Sequence, residues 1–269
     1  MGLGMQMIAW PPGFVRALLN AGYRVISFDN RDIGLSTKTT VPAPNLIFQA
    51  LRFRMGMRVR APYSLRDMVE DTRGLLDGLQ VNRCHVIGAS MGGMIAQGLA
   101  AHYPNRVLSL TSIMSTTGAR GLPQATTRAT MAVLSRPRTR DRTALIAHFA
   151  KVFRVIGSPA FPTDTNELQT RIAVGIDRSY YPAGTVKQLA AIMASGDRSD
   201  EVRSITAPTL IIHGRDDPLV PLKNGEDTAA KIVGAQIKII EGMGHDLPPG
   251  VISAMLPTLL PFLERHQPL

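Results

Sequence analysis

Apolar positions along the chain switch between two periods. Phe14 to Asn20 repeats its apolar residues at helical spacing, and Tyr23 to Asp29 (Tyr-Arg-Val-Ile-Ser-Phe-Asp) reads as a strand. Ser64-Leu65-Arg66-Asp67 has the form of a capping box and predicts a helix running to about Leu79. Cys84 to Ile87 is a short apolar run with β-branched members. A glycine-rich turn follows it, and Met94 to Ala101 resumes the helical pattern. Further strands are predicted over 106–114, over 209–212 behind Pro208, and over 236–240, with a last helix over 252–265. Strands alternating with helices in this order predict an α/β fold: a mainly parallel sheet flanked by helices on both faces.

Residues 119–200 break the rhythm. They carry helical patterns, as at 143–155 and 185–194, but no clear strand, and Pro123, Pro137, Gly157, Pro159, Pro162, Pro182 and Gly196 punctuate them. The expectation is a helical cap inserted over the strand ends, with 1–118 and 201–269 forming the core. In open α/β sheets that crevice is where ligands bind.

Composition narrows the picture. At 269 residues and 45% hydrophobic, with mean hydropathy +0.06, the chain suits one large globular domain with an insert. No apolar run reaches membrane-spanning length, so no stable membrane insertion is expected. Cys84 is the single cysteine and has no internal disulfide partner, which makes a cytoplasmic protein with an inert thiol the default. The six histidines never pair at ligand spacing, so no metal site is expected. The net charge of +10 comes mostly from arginine, concentrated at Arg52, Arg54, Arg58 and Arg60 and again at Arg136, Arg138, Arg140 and Arg142. No nucleic-acid-binding motif accompanies this charge and aromatics are only 5%, too few for a stacking platform. A solvated basic surface, weakly attractive to anionic surfaces or acidic substrates, is the expectation, with no nucleic-acid partner.

The candidate chemistry starts at Gly88-Ala89-Ser90-Met91-Gly92, a sharp strand-to-helix turn with a serine at its tip. A serine hydroxyl is a weak nucleophile unless it is held exposed beside a base, and small neighbours are what such a strained turn requires. The five-residue pattern alone would arise by chance on the order of 0.1 times in a chain of this length. Two other strand ends supply what it lacks. His213-Gly214-Arg215-Asp216-Asp217 follows the strand at 209–212, and Gly242-Met243-Gly244-His245-Asp246 follows the strand at 236–240. Chain order is then Ser90, Asp217, His245: nucleophile, acid, base. Asp216 is the competing acid. His85, His102 and His213 are expected to be structural, and Asp246 to cap a turn.

On these residues, with Met1-Gly2-Leu3-Gly4 and Phe28-Asp29-Asn30-Arg31-Asp32-Ile33-Gly34-Leu35-Ser36, the chain resembles the α/β-hydrolase fold family. It is most similar to a small esterase and methylesterase branch that includes the anthracycline methyl-ester hydrolases. The resemblance covers the whole length, the insert matching only in kind. It favours Asp217 over Asp216, which stands only two residues after Gly214, and it implies ester hydrolysis through an acyl-enzyme without a metal or organic cofactor. It places the oxyanion between the backbone N–H groups of Met91 and Leu3, and gives the 29–36 loop a bracing role. The family also has a central strand directly before the Met1–Gly4 loop, between the strand at 23–29 and the serine strand. Either the chain starts at an internal methionine, or another segment or a second chain fills that gap.

The expected enzyme is therefore a carboxylesterase acting on a small-molecule ester with a hydrophobic acyl or alcohol part. A perhydrolase, lactonase or C–C bond hydrolase on the same triad is the alternative. A non-catalytic binding protein or an inactive truncated product is the alternative of another class. Homo-oligomerisation is compatible with the chain.

Overall fold

The computed structural model describes residues 1–267. A short 3-10 helix (Met7–Ala9) and three α-helices precede the first strand: α1 (Pro12–Asn20), α2 (Leu46–Arg54) and α3 (Leu65–Gly78). The capping box of α3 forms as its sequence predicts, the Ser64 hydroxyl accepting from Asp67 N–H and the Asp67 carboxylate accepting from Ser64 N–H. Helix α2, which periodicity did not predict, is capped by Asn45, whose side-chain oxygen accepts from Ile47 and Phe48 N–H.

Strand β1 (Cys84–Ala89) leads through Ser90 into α4 (Met91–His102), and β2 (Val107–Ile113) follows. Helices α5 (Thr127–Leu134), α6 (Arg142–Ile156), α7 (Thr165–Arg178), α8 (Pro182–Ser195) and α9 (Ser199–Arg203) then intervene before β3 (Thr209–Gly214). Helix α10 (Lys223–Lys231), β4 (Gln236–Ile240) and α11 (Pro249–Arg265) complete the fold. The four strands form one parallel sheet in the order β1-β2-β3-β4. Ala89 pairs with Ile113, Ile113 with Ile212, and Gly214 with Ile240, so the carboxyl ends of the strands line up along one rim. One core joins α3 and α4 to one face of the sheet through Met68, Leu76, Leu99 and Leu110. The other joins α1 and α11 to the opposite face through Phe14, Ile212, Met255 and Phe262.

The segment 23–29 is not a strand, contrary to its pattern. It still runs beside β1: the Tyr23 ring meets His85 edge-on at 5.6 Å, and Ile26, Ser27 and Phe28 line a slot of about 80 Å3 opposite Val86, Ile87 and Gly88. A strand is defined by a hydrogen-bonded neighbour, and the outer edge of β1 pairs with none among the described residues. The segment 23–29 therefore lies beside β1 without a ladder joining the two among the described residues.

Candidate active site

Ser90 sits at the tip of the turn between β1 and α4 with φ 55° and ψ −120°, a left-handed conformation that costs a non-glycine residue energy. The packing around it enforces that geometry. A Cβ on Gly88 would overlap the Gly92 carbonyl, and one on Gly92 would come within 2.7 Å of the Met1 carbonyl oxygen. Ser90 N–H donates to Ile113 O (2.9 Å), and the Ser115 hydroxyl donates to Ser90 O (2.8 Å), tying the turn to β2 and the loop after it.

His245 reaches the serine from the loop after β4. Its Nε2 lies 3.0 Å from Ser90 Oγ, and its Nδ1 lies 2.7 Å from Asp217 Oδ2. An ionised carboxylate only accepts, so the proton belongs on Nδ1, leaving the Nε2 lone pair facing the serine hydroxyl. Asp217 is itself fixed: Oδ1 accepts from Leu219 N–H (2.9 Å) and Val220 N–H (2.8 Å). Asp216 instead turns outward and accepts from Gly242 N–H. A hydroxyl held in such a line can pass its proton to the imidazole as it attacks a carbonyl carbon, while the carboxylate steadies the imidazolium.

The other histidines lie outside this line. His213 is fully buried, its Nε2–H donating to Val220 O (2.8 Å), and burial holds its pKa below the ordinary value. His85 bonds Ser109 Oγ through Nδ1 at 2.7 Å. His102 stands 3.8 Å from Glu201. Asp246 does not cap a local turn as expected. Its carboxylate accepts from the N–H and hydroxyl of Ser158, whose oxygen accepts in turn from Gly244 N–H, so the His245 loop is tied to the segment between α6 and α7. His245 N–H adds a bond to Ile156 O at 2.7 Å.

Two features bear on the expected oxyanion site. Met91 is the first residue of α4, so its N–H has no intrahelical acceptor and stands at the positive end of the helix. The turn holding Leu3, closed by Met5 N–H to Gly2 O, lies against the serine: a Cβ on Gly2 would stand 3.2 Å from Ser90 Cβ. Sequence reading missed what secures this turn. Gln188 in α8 accepts from Gly4 N–H (2.9 Å) and donates to Arg31 O (3.0 Å), joining insertion, turn and 29–36 loop in one clamp. Asp29 braces the same loop: burial would raise its pKa, but bonds from Met7 and Leu35 N–H and the Arg178 guanidinium hold it below the ordinary value. Beside it, Lys187 and Asp32 form a fully buried pair through which α8 also holds Thr39. A lysine followed by a glutamine in the otherwise apolar run of 185–194 was the one available signal.

A parallel sheet with a strained serine turn, and an acid and a histidine from two later strand ends, defines an α/β-type hydrolase architecture. The chain belongs to the alpha/beta hydrolase fold family, whose pattern matches residues 2–248. It is 28% identical to the rhodomycin D methylesterase of Streptomyces peucetius over 92% of this chain and 83% of that one. It is 30% identical to a 2-hydroxy-6-oxononadienedioate/2-hydroxy-6-oxononatrienedioate hydrolase of Burkholderia vietnamiensis, covering 86% and 73%. Among solved structures it superposes on a meta-cleavage product hydrolase of Pseudomonas fluorescens with TM-score 0.74 at 19% identity, covering 99% and 88%. The chain is a hydrolase by family.

Proposed function

We propose that this hydrolase cleaves carboxylic esters through an acyl-enzyme formed on Ser90. The observation that carries the reading is the continuous line from Ser90 Oγ through His245 to Asp217. Ser90 Oγ attacks the ester carbonyl as His245 Nε2 takes its proton, and the negative charge gathers on the former carbonyl oxygen, facing the Met91 and Leu3 N–H groups. His245 returns the proton to the departing alcohol, then activates a water that releases the acid and restores the serine. Asp217 keeps the imidazole in its working tautomer throughout. Similarity to a methylesterase and the Ala, Val, Ile and Phe content of the insertion support a small or medium ester with a hydrophobic part.

The test is turnover of short p-nitrophenyl and methyl esters by the wild type and by Ser90→Ala. Turnover by the wild type, and its loss with Ser90→Ala, is the expected pair. Undiminished turnover in Ser90→Ala, or none in a folded wild type, overturns the reading. The relative at 30% identity gives a second reading, C–C bond hydrolysis on the same serine. Turnover of a vinylogous 1,5-diketone acid but of no ester would select it.

A further inference from the structure

Helix α2 carries its apolar side outward. Ile47, Leu51 and Met55 follow at four-residue spacing and Phe48 lies three before Leu51, so the four share one side of the helix and its C-cap. They are 83, 54, 62 and 53% exposed in the order Ile47, Leu51, Met55, Phe48. On the inner side, buried Gln49 accepts from Arg60 N–H at 2.8 Å. A polar contact anchors this helix while most of its hydrophobes face solvent, Phe53 on the Gln49 side included, unlike an ordinary surface helix. Leu35, Val41 and Met57 continue the exposed apolar surface on the flanking segments.

The charge on this segment has one sign. From Ile33 to Leu65 there is no Asp or Glu, against Lys38, Arg52, Arg54, Arg58 and Arg60. Arg58 and Arg60 are exposed, and Arg52, whose guanidinium lies over the Phe48 ring at 5.7 Å, donates to Arg58 O at 2.9 Å. Among the described residues Lys38, Arg52, Arg58 and Arg60 form no ion pair, and an apolar face on such a cationic segment complements a surface that is apolar within and negative at its rim.

We propose that residues 33–60 form a peripheral docking surface for an anionic lipid bilayer. Helix α2 lies in the plane of the interface, with Ile47, Phe48, Leu51 and Met55 at the headgroup–acyl boundary and Arg58 and Arg60 against the headgroup charge. Among the described residues no helix is long and apolar enough to cross a membrane, so the contact is superficial. A second copy of the chain fits less well, because a two-fold interface centred here would bring this cationic segment against itself. A protein partner needs complementary relief, whereas Ile47 stands proud of the surface, a shape that a fluid interface accepts. Helix α2 packs on α8, which holds Gly4 through Gln188, so the docking helix is joined to the turn beside Ser90.

Co-sedimentation with vesicles tests this independently of any hydrolytic activity. The probes are phosphatidylcholine vesicles with and without about one-third phosphatidylglycerol, at low and high salt. The full chain is expected to bind only the anionic vesicles, and less at high salt. Phe48→Ser/Leu51→Ser should weaken binding at least about tenfold, and Arg58→Gln/Arg60→Gln roughly 25-fold, about fivefold per charge, both with unchanged Tm. Three results overturn it: no wild-type binding at low salt, binding that survives Phe48→Ser/Leu51→Ser, or a wild-type dimer in sedimentation velocity that this variant abolishes. The last would assign the face to a second copy.

Discussion

Replacing Gln188 by Met tests whether α8 sets the geometry of the Gly2–Met5 turn proposed to hold the oxyanion. Methionine keeps the length and bulk of the side chain but removes the acceptor for Gly4 N–H and the donor to Arg31 O, bonds of 2.9 and 3.0 Å. Gln188 is completely buried, so each abandoned backbone group costs about 1–3 kcal/mol, together about 2–6 kcal/mol. The strain is relieved most cheaply if the Gly2–Met5 turn swings away from α8. That turn rests on Ser90, with only 3.2 Å between a Cβ on Gly2 and Ser90 Cβ, so the swing re-aims the Leu3 N–H. Loss of one oxyanion donor is worth about 100- to 1000-fold in kcat, and partial misplacement less, so a fall of about 10- to 100-fold with KM little changed is expected. Steady-state kinetics on a p-nitrophenyl ester, well below the Tm of every variant, reads it. Lys187→Met is the control, because it loosens the same helix without touching the turn. The reasoning fails if Gln188→Met keeps kcat within about twofold, or if Lys187→Met lowers kcat equally.

Asp217→Asn should leave the fold intact and lower kcat by about 10⁴-fold, because an amide opposite Nδ1 favours the wrong tautomer of His245; single-turnover kinetics with titration of Ser90 measures it. Lys187→Met strands the Asp32 carboxylate in the interior and should cost about 3–5 kcal/mol, a Tm loss of roughly 6–20 °C, with partial recovery in Lys187→Met/Asp32→Asn by calorimetry. His213 is held below its ordinary pKa by burial, so its contribution is whole above about pH 6.5. As pH falls below that value, the unfolded chain takes up a proton that the folded chain refuses. Stability should drop by up to about 1.4 kcal/mol per pH unit until the lower folded value is passed. His213→Gln should flatten the Tm profile between about pH 5 and 7, and an unchanged slope contradicts the assignment. Ser158→Ala removes the acceptor for Gly244 N–H and a donor to Asp246, and should lower kcat about tenfold with little change in KM.

Much of the site is written locally. The capping box at Ser64, the apolar runs of β1 to β4 and the glycines around Ser90 each act within a few residues, so pattern and structure agree there. Ser90, Asp217 and His245 were nameable because each follows a strand whose carboxyl end the parallel sheet brings to the same rim. What depends on distant partners was hidden. Gln188 and Gly4 are 184 positions apart and Ser158 and Asp246 are 88 apart, and no periodicity encodes such contacts. The segment 23–29 shows the converse: a strand-like pattern is local, but the ladder that makes it a strand belongs to a neighbour.

Among the described residues β1 has a ladder on one edge only, and this has a practical consequence for its amides. In a parallel strand, alternate residues turn both N–H and C=O to the same side, so about half of the backbone groups of β1 point away from β2. Amide deuterium uptake along Cys84–Ala89 should therefore alternate between slow and fast within one strand. Segment 23–29 covers the other edge across a slot of about 80 Å3, room for a few waters rather than for a foreign strand.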